Sequence, residues 1–492
     1  MNNPTNRKMS SHRASKRRHF LKCMALSGVG ITMSSFSAFS NDFDQKQHVG
    51  KGNPARADDL WQVGIGKRVI TPTTPVWLAG YGTQRVPYGK VHDLFVKVLA
   101  LKSKSGKVTV MATTDHQGMS NTVYESLYRK IYLRFKIERE DFMLTFSHNH
   151  SGPRLTDDLT DYYPVDKEQE KIVAEYSDWM SGQIVEAVGE ALENWQNARI
   201  YIGMGTCTFA VNRRENKEAE VPEILASGKP LKGPVDHDVP VMAIRGEGGN
   251  LISILFGYAC HPTTISFNTY SGDYPGFAQL NLEDQFPGTA ALFFNACGGD
   301  QNPLPRRTLE LCEKYGKMLS DAVAEVLAQP MQSVTAEIKT ALKYTTLEYQ
   351  ELVTREKLVP IAEGENPLRA RWAKRMLSRI EAGETFTNSY PYPVQAWMFG
   401  QELLFIGIGG EAVVDYSLNY KKKYSRQATW VCGYANEMIA YIPSRRVWEE
   451  GGYEGGPHLD EYGHPAWRWA GDVEDRINAA VDEVVSLVER KD

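Results

Sequence analysis

The chain has 492 residues, of which 42% are hydrophobic and 24% are charged, a composition typical of a globular protein with a large core. Its length allows two or three domains or one large α/β domain. The 56 basic and 60 acidic residues give a net charge of −4. Residues 1–40 hold seven of the basic residues and no acidic one, so the remainder carries 49 basic and 60 acidic residues, a charge of −11. Such an acidic protein is a poor partner for nucleic acid or an anionic membrane surface.

The N-terminus predicts export. The stretch "SKRRHFLK", residues 15–22, contains two arginines, one further residue and then Phe-Leu-Lys, and residues 23–40 are uncharged and mildly apolar. This pattern is typical of a twin-arginine signal peptide over residues 1–40, with a disordered basic tail as the alternative. The apolar run is too short and too rich in Ser and Gly to span a membrane. Residues 41–58 are polar and predict a linker, so we expect a periplasmic or secreted protein without a transmembrane segment after signal removal.

From residue 59 to residue 490, apolar strand-like runs alternate with amphipathic helical stretches. The apolar runs 251–261 and 289–299 are continuous, as in strands buried on both faces. Residues 351–385 are charged and helical, which is typical of a lid or an insertion. The mixture predicts one large α/β domain built from mixed α+β layers. Further strands are expected at 107–115 and 198–211, and helices at 123–135, 172–195 and 312–329.

Five cysteines follow the signal, an odd number with no C-x-x-C spacing. This count predicts neither a zinc finger nor a disulfide framework, and we expect buried free thiols. The residues are Cys207, Cys260, Cys297, Cys312 and Cys432.

Polar side chains follow five of the apolar runs at their carboxyl ends. In open α/β sheets this edge binds ligands, so we expect the functional site there. The residues are His148, His261, Asn295, Glu411 and Tyr441.

The segment "FSHNHSGP" places His148 and His150 two residues apart. In a strand such residues face the same side, which favours a metal site or an acid/base pair over a structural role. Glu411 follows the apolar run "FIGIGG", where a carboxylate is costly to bury unless it is paired or binds a metal. With His261, these residues suit a zinc site that leaves one position open, although structural histidines are the alternative.

The segment "SFNTYSGDYPG" contains Ser271 in a stretch rich in turn-forming residues. A plain surface turn explains this composition by itself. A nucleophilic serine is the functional alternative.

The ordered motifs "HNHSGP", "NRR", "HPTT", "SGD", "GGDQNP", "GGE", "YIPS" and "GYEGG" resemble the N-terminal catalytic domain of the neutral/alkaline non-lysosomal ceramidase family. The resemblance implies four zinc ligands, a histidine that faces the reacting centre, a catalytic serine, a tyrosine that binds the substrate carbonyl and an arginine near the site. The implied ligands are His148, His261, Glu411 and Tyr441, and the other residues are His150, Ser271, Tyr453 and Arg213.

The resemblance implies a zinc-dependent amidohydrolase that cleaves an N-acyl bond of a lipid or small-molecule substrate, by attack of either Ser271 or water. Two alternatives are a zinc hydrolase acting on an ester, lactone or carbohydrate derivative, and a metal-dependent glycan-binding protein without turnover. On this resemblance, we expect the C-terminal β-sandwich domain of the family to be missing from this protein. The family's "HTHSGP" and "SGDNKG" stretches are here "HNHSGP" and "SGDYPG".

Overall fold

A computed structural model describes residues 60–490 of the chain. The predicted signal peptide and the predicted linker lie outside the described residues. In chain order, the strands are β1 (Trp61–Val69), β2 (Phe95–Lys102), β3 (Val108–Thr114), β4 (Phe142–Phe146), β5 (Gln196–Thr206), β6 (Ala210–Asn212), β7 (Asp238–Gly246), β8 (Leu251–Tyr258), β9 (Ala290–Asn295), β10 (Gln301–Pro303), β11 (Gln332–Val334), β12 (Ile338–Glu348), β13 (Ser389–Phe399), β14 (Leu403–Ile408), β15 (Glu411–Ala412), β16 (Ala428–Cys432) and β17 (Tyr441–Ile442).

The helices flank these strands, and the predicted helical stretches 123–135, 172–195 and 312–329 each overlap one of them, the last two ending two residues earlier than predicted. In chain order, they are α1 (Asn121–Phe135), α2 (Lys167–Glu193), α3 (Val221–Ala226), α4 (Asp273–Gln285), α5 (Leu309–Leu327), α6 (Arg355–Ala362), α7 (Pro367–Glu381), α8 (Val414–Lys423), α9 (Arg445–Glu450), α10 (Gly452–Gly455) and α11 (Val473–Glu489). No helix within residues 60–490 is both long and apolar enough to cross a membrane.

The larger sheet has nine strands in the order β4-β3-β2-β1-β5-β7-β8-β9, with β11 paired to β5. The pairs β3–β4 and β8–β9 are parallel, and the other pairs are antiparallel. The smaller sheet has the order β12-β13-β14-β16, with β14 and β16 parallel. Two further two-stranded pairs, β6–β10 and β15–β17, lie outside these sheets.

The core forms between layers because successive strand residues point to opposite faces. In β2, Val98 packs with residues of α1 and α2, whereas Leu99 packs against the smaller sheet. In β14, Phe405 faces the larger sheet and Ile406 faces α11. The result is a four-layer arrangement of helices, sheet, sheet and helices, which confirms the predicted mixed α/β fold.

The two edge strands of the larger sheet end close together. Asn295, at the end of β9, donates a hydrogen bond to the carbonyl of Ser147, just after β4, at 3.1 Å. The carboxyl ends of β4, β8 and β9 therefore meet, and β14 approaches them because the two sheets pack face to face.

The fold confirms the prediction for the cysteines and places the charged helical segment 351–385. The five described cysteines are buried free thiols, as predicted. Residues 351–385 contain α6 and α7, and α7 packs on two loops of the main domain. Arg375 binds Asp161 with its Nε at 2.8 Å, and the Trp372 indole donates to the carbonyl of His464 at 2.9 Å.

Candidate metal centre and active site

His148 and His150 lie just beyond β4 instead of within a strand, which corrects the geometry expected from the sequence. His148 adopts the left-handed region with φ 62°, and its amide donates to the carbonyl of His116 at 2.9 Å. The left-handed residue breaks the strand alternation, yet the two rings still meet edge to face, 5.1 Å apart. Their Nε2 atoms are 3.4 Å apart.

His261 joins this pair from the loop after β8. Ligand atoms of His148, His150 and His261 all lie within 4.8 Å of one another, and the cluster is buried. The geometry therefore groups His150 with two of the implied zinc ligands, whereas the sequence resemblance gave it only a catalytic role.

Backbone carbonyls fix the orientation of two of the rings. The Nδ1 of His148 lies 2.6 Å from the carbonyl of Gln117, and that of His261 lies 2.6 Å from the carbonyl of Gly298. A carbonyl can only accept, so both Nδ1 atoms carry the proton and both Nε2 atoms present lone pairs to the cluster.

Glu411 and Tyr441 come together through strand pairing. They are register partners in the parallel pair β15–β17, and the Glu411 amide donates to the carbonyl of Ala440 at 2.8 Å. The Glu411 Oε2 lies 3.1 Å from the Nε2 of His148 and 2.9 Å from that of His261. The Tyr441 hydroxyl lies 3.4 Å from the same His261 nitrogen.

The donor set fits a metal ion. Burial lowers the pKa of His261 to about 4, so its Nε2 lone pair faces the Glu411 carboxylate at neutral pH. Burial by itself raises the pKa of Glu411, but the neighbouring His148 and His261 outweigh it and hold that pKa well below its usual value. Lone pairs crowded in this way require a cation between them, either a proton or a metal. Ligands about 2.0–2.1 Å from a tetrahedral zinc ion lie about 3.3 Å apart, close to the separations observed here.

Arg213 connects Tyr441 to the protein around it. Its Nη2 donates to the Tyr441 hydroxyl at 2.9 Å and to the carbonyl of Gly299 at 2.7 Å, while its Nε donates to Glu454 at 2.8 Å. Burial raises the pKa of Tyr441 well above its usual value, and Arg213 opposes that shift. Arg213 therefore stands where it can stabilise negative charge on this phenol oxygen.

Tyr453 lies at the mouth of the site, 47% exposed. Its ring centre is 5.1 Å from that of Tyr441, and its hydroxyl donates to Glu461 at 3.0 Å. Burial raises the pKa of Glu461 to about 7. The phenol is thus placed to meet a substrate that approaches the cluster.

Ser271 is not in a surface turn: it is fully buried. Its amide donates to the carbonyl of Ser151 at 3.1 Å, next to His150 in the chain. Its hydroxyl lies 3.3 Å from the Nε2 of His92 and accepts from the amide of Asp273 at 3.0 Å. The structure therefore brings Ser271 beside the histidine segment but directs its hydroxyl to His92.

The glycines of the "SGDYPG" segment make room for His92. A Cβ on Gly276 would lie 2.3 Å from the His92 ring, and one on Gly272 would lie 3.2 Å from it. The His92 Nδ1 lies 3.1 Å from the carbonyl of Asp93, so it carries the proton and leaves Nε2 free to accept from Ser271. His92 thus pairs with Ser271 from 179 residues away in sequence.

Sequence reasoning missed His92, Glu454 and Tyr462. The Tyr462 hydroxyl donates to Oε1 of Glu411, on the side away from the histidines. Glu454 adjoins Tyr453 within the "GYEGG" motif, which could have identified it. His92 and Tyr462 stand in segments with no local signal of function.

The comparisons with known proteins agree with this architecture. No family model matches the chain. The neutral ceramidase of Pseudomonas aeruginosa is 25% identical over 267 residues, which is 51% of this chain but only 38% of that protein. A solved ceramidase complexed with C2 aligns with a TM-score of 0.67 and 17% identity, over 88% of this chain and 77% of that one. The crystal structure of the P. aeruginosa neutral ceramidase aligns with a TM-score of 0.66 and 18% identity, over 88% and 76% of the two chains. The predicted resemblance is therefore confirmed, and the chain has a neutral ceramidase-like fold.

Proposed function

We propose that this chain is an exported, zinc-dependent amidohydrolase that cleaves an N-acyl bond. The observation that carries the proposal is the convergence of two oriented histidine lone pairs with the buried Glu411 carboxylate, inside a neutral ceramidase-like fold. His148, His261, Glu411 and Tyr441 would hold the ion, with His150 directly beside them. When bound, the zinc ion would supply a Lewis acid that polarises an amide carbonyl.

The residues around the cluster account for the remaining chemistry. Burial, together with nearby His148 and His261, holds the pKa of His150 well below its usual value, so this ring is neutral at pH 7. A neutral His150 can accept the proton of the attacking group and return it to the leaving amine. The Tyr453 hydroxyl can turn from Glu461 to donate to the carbonyl oxygen as negative charge develops there.

Attack by water is better supported than attack by Ser271. The serine hydroxyl is fully buried, and its hydrogen-bond partners among the described residues are His92 and Asp273, not the histidine cluster. Attack by Ser271 would require its hydroxyl to turn away from these partners toward the cluster, whereas attack by a water between the cluster and the bulk solvent requires no such movement. Ser271 would then act by shaping the wall of the site next to His150.

The first experiment combines metal analysis with turnover. The mature protein, purified without chelators, should contain about one zinc ion per chain and should release amine from a short-chain N-acyl substrate. His148→Ala and Glu411→Ala should lose both properties, whereas Glu365→Gln, an exposed position, serves as the matched control. Wild-type protein that binds no stoichiometric metal would contradict the proposal.

Export rests on the twin-arginine pattern alone. Replacement of Arg17 and Arg18 with lysine should keep the precursor in the cytoplasm, whereas the unchanged precursor should reach the periplasm. Cell fractionation checks this, and equal distribution of both forms would contradict export by the twin-arginine route.

A further inference from the structure

A polar cleft opens beside the candidate metal centre. It has a volume of about 660 Å³, and its walls come from residues 213–218, 302–306 and 450–454. Of its thirteen lining residues, four are basic and four are acidic, while Leu304 is the one aliphatic side chain among them. This lining differs from the apolar walls that surround hydrocarbon chains in lipid-binding proteins.

Two of the lining residues connect the cleft to the cluster. Arg213 donates to the Tyr441 hydroxyl at 2.9 Å, and that hydroxyl lies 3.4 Å from the Nε2 of His261. Tyr453 packs edge to face against Tyr441, and the Arg213 guanidinium lies 5.8 Å from the centre of the Tyr453 ring. Because Arg213 and Tyr453 both line the cleft, a substrate whose amide carbonyl lies between Tyr453 and the cluster borders the cleft.

The charges in the walls are largely paired with each other. Arg213 binds Glu454 at 2.8 Å, and Arg214 binds both Glu454, at 2.6 Å, and Glu450, at 2.9 Å. At the other wall, Arg306 binds Glu218 at 2.6 Å. The four positive and four negative side chains balance, so the cleft offers no net charge to attract an anion or a cation.

Paired ions of this kind favour one type of occupant over another, because any occupant displaces the water that is hydrogen-bonded to the ions. An alkyl chain laid across them would remove their water without replacing its hydrogen bonds, which is costly for charged groups. A hydroxyl group both donates and accepts, so it can satisfy the free positions of arginine and carboxylate alike. A neutral group with several hydroxyls is the occupant that this lining fits.

We infer that the cleft binds a neutral, hydroxyl-rich group of the carbohydrate type, so that the preferred substrate is an N-acylated amino sugar and not a two-chain lipid. This inference rests on the proposed amide hydrolysis and specifies its substrate class. The acyl bond would be cleaved by addition of water, which gives a free carboxylic acid and the free amine of the sugar.

The test compares two substrates that share the same scissile acetamide. Zinc-loaded protein is given N-acetylglucosamine or N-acetylsphingosine in detergent micelles, and acetate release is measured for both. We expect kcat/KM to be at least about tenfold higher for the sugar. A tenfold ratio corresponds to about 1.4 kcal/mol, which is about the contribution of one hydrogen bond between a sugar hydroxyl and a charged side chain of the cleft. This measurement needs no variant and so does not depend on folding of a mutant.

A cleft variant supplies the second arm. Glu218→Leu combined with Arg306→Leu replaces one wall ion pair by apolar side chains and also removes the partner of Arg307, while Lys317→Leu with Asp321→Leu replaces an exposed ion pair on α5 as the control. The cleft variant should lower kcat/KM for the sugar about tenfold and leave or raise that for the lipid, and the control should change neither. Far-UV circular dichroism and thermal melting establish that both variants fold.

The outcomes separate the two proposals. Faster cleavage of N-acetylsphingosine by the wild type, or a sugar-to-lipid ratio that the cleft variant leaves unchanged, would overturn the substrate inference while amide hydrolysis stands. Cleavage of neither acetamide by zinc-loaded protein would overturn amide hydrolysis and the substrate inference with it.

Discussion

Glu411→Gln isolates the contribution of one charge to the candidate metal centre. The carboxylate is 2% exposed, and its Oε2 lies 2.9 Å and 3.1 Å from two histidine nitrogens. His261 is neutral at pH 7, and the raised pKa of Tyr441 keeps that phenol protonated until a cation binds. Glutamine has nearly the same shape, so the substitution removes the charge with little change in packing.

The expected loss follows from the contacts. Changing groups that merely support a ligand costs 10- to 100-fold in metal affinity, so removal of the charged ligand should cost at least about 100-fold, or about 2.7 kcal/mol. The metal-free protein should change by less than about 1 kcal/mol in its free energy of unfolding. The reason is that the amide can donate to a histidine lone pair and still accept from Tyr462.

The assay measures zinc affinity by competition with a chromophoric chelator, and stability by urea unfolding with and without zinc. In excess zinc, the wild type should gain stability that the variant does not gain. Glu365→Gln again provides an exposed control. Wild-type zinc affinity in Glu411→Gln would refute the assignment of this carboxylate as a ligand.

Three further predictions follow from individual contacts. Tyr462→Phe removes the hydrogen bond to Glu411 and should weaken zinc binding 10- to 100-fold without loss of folding; unchanged affinity in the chelator assay would show that this phenol does not orient the ligand. Ser271→Ala and His92→Ala break the same hydrogen bond. In a double-mutant cycle, the double variant should therefore lose little more turnover than the more impaired single variant. Additive losses would show that the two side chains act separately. Burial lowers the pKa of His116 to about 3, so this ring stays neutral in the folded protein but takes up a proton near pH 6.5 when the chain unfolds. The stability that this neutral ring contributes is present above pH 6.5 and falls as the pH drops toward 3. In urea unfolding of the metal-free proteins, the free energy of unfolding should therefore fall less from pH 6.5 to pH 4 in His116→Phe than in the wild type, by up to about 3 kcal/mol over that range. Parallel pH profiles of the two proteins would contradict this.

The sequence by itself indicated many of the elements and the candidate site residues. The continuous apolar runs at 251–261 and 289–299 predicted strands buried on both faces, and they contain β8 and β9, which are almost entirely buried. His148 and His150 are local in sequence, so their association could be read directly, even though the backbone conformation that joins them is left-handed and not extended.

Tertiary structure decided which distant residues meet. Glu411 and Tyr441 are neighbours because β15 and β17 pair in parallel, and strand pairing depends on contacts that no sequence period encodes. Tyr462 and His92 carry no motif, and their roles exist only because folding places them against Glu411 and Ser271. The polar cleft has the same origin, since its walls come from three segments far apart in the chain. Local periodicity specifies an element, whereas a site is assembled by long-range packing, which is why candidate ligands could be named from the sequence and the side chains that surround them could not.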